Sequence, residues 1–210
     1  MKKLWCLLLV LSLFLLSGCG DSVWDEPVLE AGEKPLSVHT QVTIAPYTEE
    51  PIIAHCDAIV RGTVTKKAYP DLVTFVNDDG VVEEVLPCTI DYITVTECLK
   101  GELKAGDQIS LWRYGNGITH IDGTLTDFGG DYFKVDEEVL LFLEQAKEEF
   151  YKKYNAKQYA RDKMIPYFTA YQATYWVDED GTLLHERNTS GYSLFTDCRT
   201  VEEMKEKYFQ

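Results

Sequence analysis

The chain has 210 residues, with 20 lysines and arginines against 35 aspartates and glutamates, for a formal net charge of −15. That length suits one ordinary domain plus processing segments. So acidic a chain repels phosphate backbones and anionic lipid surfaces, which argues against nucleic-acid binding.

Lys2 and Lys3 precede an apolar run from Leu4 to Leu16. The run is too short to span a bilayer unaided but suits the core of a signal peptide. Leu16-Ser17-Gly18-Cys19 follows and resembles the lipobox of bacterial lipoproteins, in which small residues precede a cysteine that receives the lipid. The resemblance implies a signal peptide over residues 1–18, a diacylglycerol with palmitate-type chains on the Cys19 sulfur, and an outward-facing protein anchored to the cell membrane. Acyl chains contribute about 0.8 kcal/mol per buried methylene, so several would hold it firmly. Loss of Lys2 and Lys3 leaves 18 basic against 35 acidic side chains, a net of −17. Residues 19–45 are rich in acids and prolines and read as a solvated tether. Alternation at Val38, Thr40, Val42 and Ile44 predicts an edge strand over 38–44. Residues 46–210 form a single domain.

Thr48-Glu49-Glu50 opens a short helix reaching His55, with Thr48 as its cap and two acids at the positive end of the helix dipole. Asp57 to Lys66 alternates as a strand, and Gly62 within it predicts a bend or bulge. Asn77-Asp78-Asp79-Gly80 marks a turn between Leu72–Val76 and Val81–Leu86, an expected hairpin. Thr89–Leu99 and Gln108–Trp112 make a second hairpin across Lys100-Gly101 and Ala105-Gly106-Asp107. Short β-prone pieces follow at Ile118–Ile121 and Gly123–Leu125. Val139–Leu143 is a continuous apolar run, although Val139, Leu143, Ala146, Phe150 and Tyr154 also fit a helical stripe. The expectation is a buried strand to Leu143, then a helical insertion over about residues 145–161. Tyr167–Glu186 reads as strand, turn and strand around Asp178-Glu179-Asp180-Gly181. Thr200-Val201-Glu202-Glu203 is a capping box that opens a short helix carrying Met204, Tyr208 and Phe209. Regular strands and turns without βαβ alternation predict a mainly β, OB-fold-like small barrel with a few added helices.

Four cysteines remain beyond the lipid site: Cys56, Cys88, Cys98 and Cys198. Outside the cytoplasm they allow two disulfides in three connectivities, the alternative being free buried thiols. Their spacing matches no zinc pattern. No other cofactor is implied.

DAIVRGTV, IDYITVTECLKGELKAGDQISLW and FKVDEEVLLFL form an ordered trio. It is similar to a group of uncharacterised bacterial surface and lipoprotein domains that resemble the netrin-like branch of the OB fold, the barrel also used by tissue inhibitors of metalloproteinases. The likeness covers roughly Thr48 to Leu143, and its motifs are structural. Those inhibitors chelate the protease zinc through a free N-terminal cysteine, which lipidation of Cys19 would block. If Asp57–Lys66 pairs antiparallel with Cys88–Cys98, the resemblance places Cys56 opposite Cys98 as a disulfide. Cys88 and Cys198 would then pair or stay free.

The histidines (His39, His55, His120 and His185) are scattered over separate elements. A hydrolase site built from His120 or His185 with an acid and Ser190 or Ser193 is the enzymatic alternative. No nucleophile elbow or zinc-protease motif supports it. Asp178 to Gly181 places Trp176 where a calcium loop needs its first carboxylate, so a hairpin turn accounts for it better. OB barrels bind ligands on one strand face, where exposed aromatics stack on sugars or peptide side chains. Trp112 and Tyr114 are the candidates for that role, with core packing as the plainer account. The expectation is a monomeric, non-enzymatic, membrane-tethered module for an envelope protein, glycan or peptide.

Overall fold

The computed structural model describes residues 36–37, 47–68, 73–76, 81–86, 88–114, 118–121, 124–127, 133–146, 166–187 and 193–210. Cys19, the strand expected over 38–44 and the body of the helix expected over 145–161 lie outside them.

Five strands close a barrel. They are β2 (Ala58–Ala68), β5 (Cys88–Lys100), β6 (Gln108–Tyr114), β9 (Glu138–Gln145) and β10 (Pro166–Val177). Around the barrel the order is β10-β6-β5-β2-β9, and β9 pairs back onto β10. All neighbours are antiparallel except β6 and β10, which run parallel. This is the expected OB-like barrel in a mainly β protein. Two hairpins stand beside it: β3 (Val73–Val76) with β4 (Val82–Leu86), and β7 (Ile118–Ile121) with β8 (Thr124–Asp127). Strand β1 (Leu36–Ser37) lies parallel to β8, and β11 (Leu183–Leu184) pairs antiparallel with the end of β10. Helix α1 (Glu49–His55) precedes the barrel and α2 (Val201–Tyr208) ends the chain.

Strand β9 explains why its run is apolar without alternation. Val139, Leu141 and Leu143 point into the barrel, against Val60, Val64, Ile93, Val95, Ile109 and Leu111 from three other strands. Leu140 and Phe142 point outward, into a second core with Ile52 of α1, Tyr175 of β10, and Phe195, Val201 and Met204 near the C terminus. All five β9 residues are fully buried. Each is worth about 1.5–3 kcal/mol of gross burial. The strand reading therefore holds over the helical stripe, and the strand runs on to Gln145 rather than giving way to a helix there.

The expected bulge falls at Gly62, where the β2–β5 register shifts between Arg61 and Gly62. A Cβ there would lie 2.6 Å from Ile93 Cγ2 and 2.8 Å from the Thr94 carbonyl oxygen, so the two strands approach too closely for any side chain. The same register corrects the disulfide expectation. Cys98 stands opposite Val60, while Cys56 is the C-cap of α1 and never enters the strand. Three register shifts along β2–β5 displace the simple alignment. Cys56, Cys98 and Cys198 are free thiols. Cys56 and Cys198 pack in the outer core, whereas Cys98 packs against the barrel interior. The side chain of Cys88 lies outside the described residues.

The two helices are capped differently, α1 by a distant lysine and α2 by its own first turn. Thr48 is the N-cap of α1 but makes no side-chain cap bond. At the other end of α1, Lys100 Nζ donates to the carbonyl oxygens of Ile53 (2.5 Å), Ala54 (3.2 Å) and Cys56 (2.5 Å). Lysine so placed satisfies terminal carbonyls and complements the helix dipole. The Lys100-Gly101 pair is thus more than a turn: it fastens α1 to the end of β5. Gly101 has φ +105, and a Cβ there would meet the Asp57 carbonyl oxygen at 2.8 Å. In α2, Glu203 N donates to Thr200 Oγ1 (3.2 Å), as a capping box requires. The reciprocal bond comes from Arg199 N to Glu203 Oε2 (2.6 Å), one residue earlier than the motif predicts.

Candidate functional site

One end of the barrel interior is polar. Asp91 of β5, Arg113 of β6 and Lys67 of β2 meet there, with side chains 0%, 4% and 10% exposed. Arg113 Nε donates to Asp91 Oδ2 at 2.7 Å, and Lys67 Nζ lies 3.5 Å from Asp91 Oδ1. Lys67 also donates to the Phe133 carbonyl oxygen. The Arg113 guanidinium sits 4.7 Å from the centre of the Phe133 ring, and Phe133 packs edge-on against Trp176 at 5.1 Å. On Trp176 lies a second guanidinium, that of Arg187, at 4.3 Å. A stack of cation, ring, ring and cation therefore runs from the buried end of the barrel to its surface. Such contacts suit the electron-rich ring faces.

Where the stack emerges there is a cleft of about 430 Å³. Its walls include Asp136, Glu137 and Glu138 before and at the start of β9, and Asp178 and Glu179 in the turn after β10. Trp176 and Arg187 line it too. The 134–137 turn holds Glu137 in place: Glu137 N donates to the Lys134 carbonyl oxygen at 3.1 Å, and Lys134 N donates to Glu137 Oε2 at 2.8 Å. Asp136 takes a left-handed φ of 71° within that turn, a conformation aspartate tolerates better than most residues. Trp176 Nε1 donates to Glu137 Oε2 (2.8 Å), and Arg187 donates to Glu137 Oε1 (3.0 Å). Burial is the largest single influence on this carboxyl and opposes its charge. The Lys134 N–H, Arg187 and Trp176 together outweigh burial and hold the group below the usual glutamate range. Glu138 is committed elsewhere, in a two-pronged pair with Arg61 at 2.8 and 2.7 Å.

Trp112, singled out in the sequence, does not line this cleft. Trp112 is buried, with 4% exposure, on the outer face of β6, so it offers no open platform for stacking. The side chain of Tyr114 lies outside the described residues, as do those of His39 and His120, and Ser190. Asp178 to Gly181 forms the expected hairpin turn, with Gly181 N donating to the Asp178 carbonyl oxygen (2.8 Å) and Asp178 N to that of Thr182 (2.9 Å). His55 faces Glu144 at the surface, 3.2 Å away.

His185 and Ser193 do meet. His185 Nδ1 is 2.8 Å from Ser193 Oγ, and Nε2 is 2.8 Å from the Cys198 carbonyl oxygen. A carbonyl can only accept, so Nε2 carries a proton. In the neutral ring Nδ1 is then an acceptor, and the Ser193 hydroxyl donates to it. Tyr175 OH donates to the Leu194 carbonyl oxygen (2.7 Å), and Phe195 adopts a left-handed φ of 53°. These contacts staple the 193–198 segment onto β10. Burial pushes the Tyr175 hydroxyl up, and it pushes the Cys56 and Cys198 thiols up to about 11. Such thiols are inert near neutral pH.

Sequence reasoning missed Glu137, Trp176 and Arg187 as a unit. They lie on separate elements, and no motif links their spacing. The one local signal was a tryptophan two residues before an acidic turn. Compared with protein-family models, curated proteins and solved structures, the chain has no match. Among the described residues no group of histidine, cysteine and carboxylate side chains is placed to hold a metal ion, and no helix is long and apolar enough to cross a membrane.

Proposed function

We propose that this protein is a lipid-anchored, outward-facing binding module without catalytic activity of its own, and that the acidic cleft at the barrel end receives its ligand. The lipobox-like Leu16–Cys19 stretch and the acidic tether support the address, with Cys19 as the lipid site. The OB-like barrel, and the netrin-like resemblance of its strands, support a binding role. The observation that carries the reading is the pairing of the Trp176 ring with the Glu137 carboxylate inside a cleft bordered by four further acids. That chemistry suits a cationic peptide segment of an envelope partner better than a neutral glycan.

Two measurements test it. Cys19→Ala should move the protein from the membrane fraction to the medium; retention on membranes refutes the anchor. Crosslinking of the lipidated protein in intact cells should capture a partner that Asp178→Lys and Glu179→Lys variants lose. Equal capture by the variants rules out the cleft.

The His185–Ser193 contact favours one second reading, an extracytoplasmic hydrolase. In it Ser193 Oγ attacks an ester carbonyl while its proton passes to His185 Nδ1, then on to the departing alkoxide. Water releases the acyl group. The Cys198 carbonyl would orient the ring in place of a carboxylate. Covalent labelling by a fluorophosphonate probe, lost in Ser193→Ala, would establish this reading; an unlabelled protein leaves the binding module.

A further inference from the structure

Resting on that binding role, we infer that Arg187 is an internal occupant of a guanidinium subsite formed by Trp176 and Glu137, and that an arginine of a basic peptide ligand displaces it. The two halves of the contact are held unequally. Trp176 is 3% exposed and is packed against Phe133 within the barrel core. Glu137, 21% exposed at its side chain, is tied by the Lys134 N–H and by Trp176 Nε1 through the oxygen that Arg187 does not use. Ring and carboxylate thus keep their relative geometry when Arg187 leaves. The Arg187 side chain is 36% exposed and ends a three-residue 3-10 turn, His185–Arg187. It makes one hydrogen-bonded ion pair and one ring contact within this site. A preorganised receptor half and a releasable guest half are what a displaceable contact requires.

The guest defines the ligand chemistry. The guest is a guanidinium 4.3 Å from the indole centre that also donates to a carboxylate, and its planar, forked set of donors is one that an ammonium does not reproduce. Asp136, Asp178 and Glu179 border the same cleft, and all three residues are exposed. They suit further basic residues on either side of the seated arginine. The ligand class is therefore an arginine-containing basic peptide. Its apparent affinity is set partly by how often Arg187 vacates the site, because occupancy by the internal group divides the dissociation constant by the open fraction and so weakens binding.

The test uses the full-length chain in detergent at about physiological ionic strength, where long-range attraction is screened beyond roughly 8 Å. The probes are fluorescent tetra-arginine and tetra-lysine peptides, read by anisotropy. Arg187→Ala should tighten tetra-arginine binding roughly three- to tenfold and tetra-lysine binding less. Lys104→Ala removes the same charge from the β5–β6 turn, outside the cleft, and should change either affinity by less than about twofold. Glu179→Gln should weaken both peptides without loss of thermal stability. Equal tightening by Arg187→Ala and Lys104→Ala, or none by Arg187→Ala, overturns the displacement. If Glu179→Gln still weakens binding in that case, the cleft remains the ligand site. Absence of binding to both peptides by wild type and Arg187→Ala alike overturns displacement and cationic-ligand reading together.

Discussion

The barrel interior and the core outside it share strands β2, β9 and β10 but are held together by different means. The interior draws side chains from all five barrel strands, so closure of the hydrogen-bonded ring is enough to assemble it. At its polar end a single carboxylate, Asp91, is shared by Arg113 and Lys67. The outer core has no such ring. It depends on α1, α2 and the 193–198 segment folding back across Leu140, Phe142 and Tyr175, fastened by Lys100, by Tyr208 OH donating to Glu49 (2.9 Å), and by His185. One core is closed by topology and the other by staples. The cleft lies at the exposed end of the stack that leaves the first core.

Substitutions separate the two. Asp91→Asn should cost most, because it removes the buried carboxylate that Arg113 and Lys67 face; loss of one partner of a buried ion pair costs about 3–5 kcal/mol. Urea denaturation should show it, and a loss under about 1 kcal/mol would mean that the barrel end tolerates two cations without a carboxylate partner. Gly62→Ala should follow at about 1–3 kcal/mol, since the added methyl meets backbone as well as a movable side chain. A thermal scan with no shift would show that β2 and β5 can separate there. Thr200→Ala should cost about 1 kcal/mol through loss of the α2 cap. Hydrogen exchange in α2 should rise while the β5 and β9 amides stay protected; equal loss in both would unite the two cores into a single cooperative layer.

The smallest effect concerns acid. Glu137 ionises more readily in the fold than its ordinary value of 4.5. Its contribution is therefore complete above that value and fades as pH falls through the lowered folded value. Melting temperature measured from about pH 6 down to about pH 3 should fall less steeply for Glu137→Gln than for wild type. Parallel curves would show that Glu137 contributes nothing to the linkage.

Much of the fold was legible because its signals are local. Alternation along Asp57–Lys66, turn residues at Gly101 and Gly106, and the Thr200–Glu203 box each act within a few residues. The unbroken Val139–Leu143 run announced a strand buried on both faces, yet the helix-like spacing of Val139 and Leu143 left a rival reading that only two-sided packing removed. Lys100 looked like part of a turn because the three carbonyls it caps lie 44 to 47 residues away. Trp112 drew notice as an aromatic beside a Gly-rich turn, but its burial depends on what covers the outer face of β6, and a strand's own period does not encode that.

The sequence alone determined the strand periodicity, the capping signals and the acidity of the chain, since each is a property of neighbouring residues. Tertiary structure decided the β2–β5 register that parts Cys56 from Cys98, because bulges add residues that alternation cannot count. It also decided the cleft. Glu137 meets Trp176 across 39 residues and Arg187 across 50, and only closure of β9 onto β10 brings the three within hydrogen-bond reach.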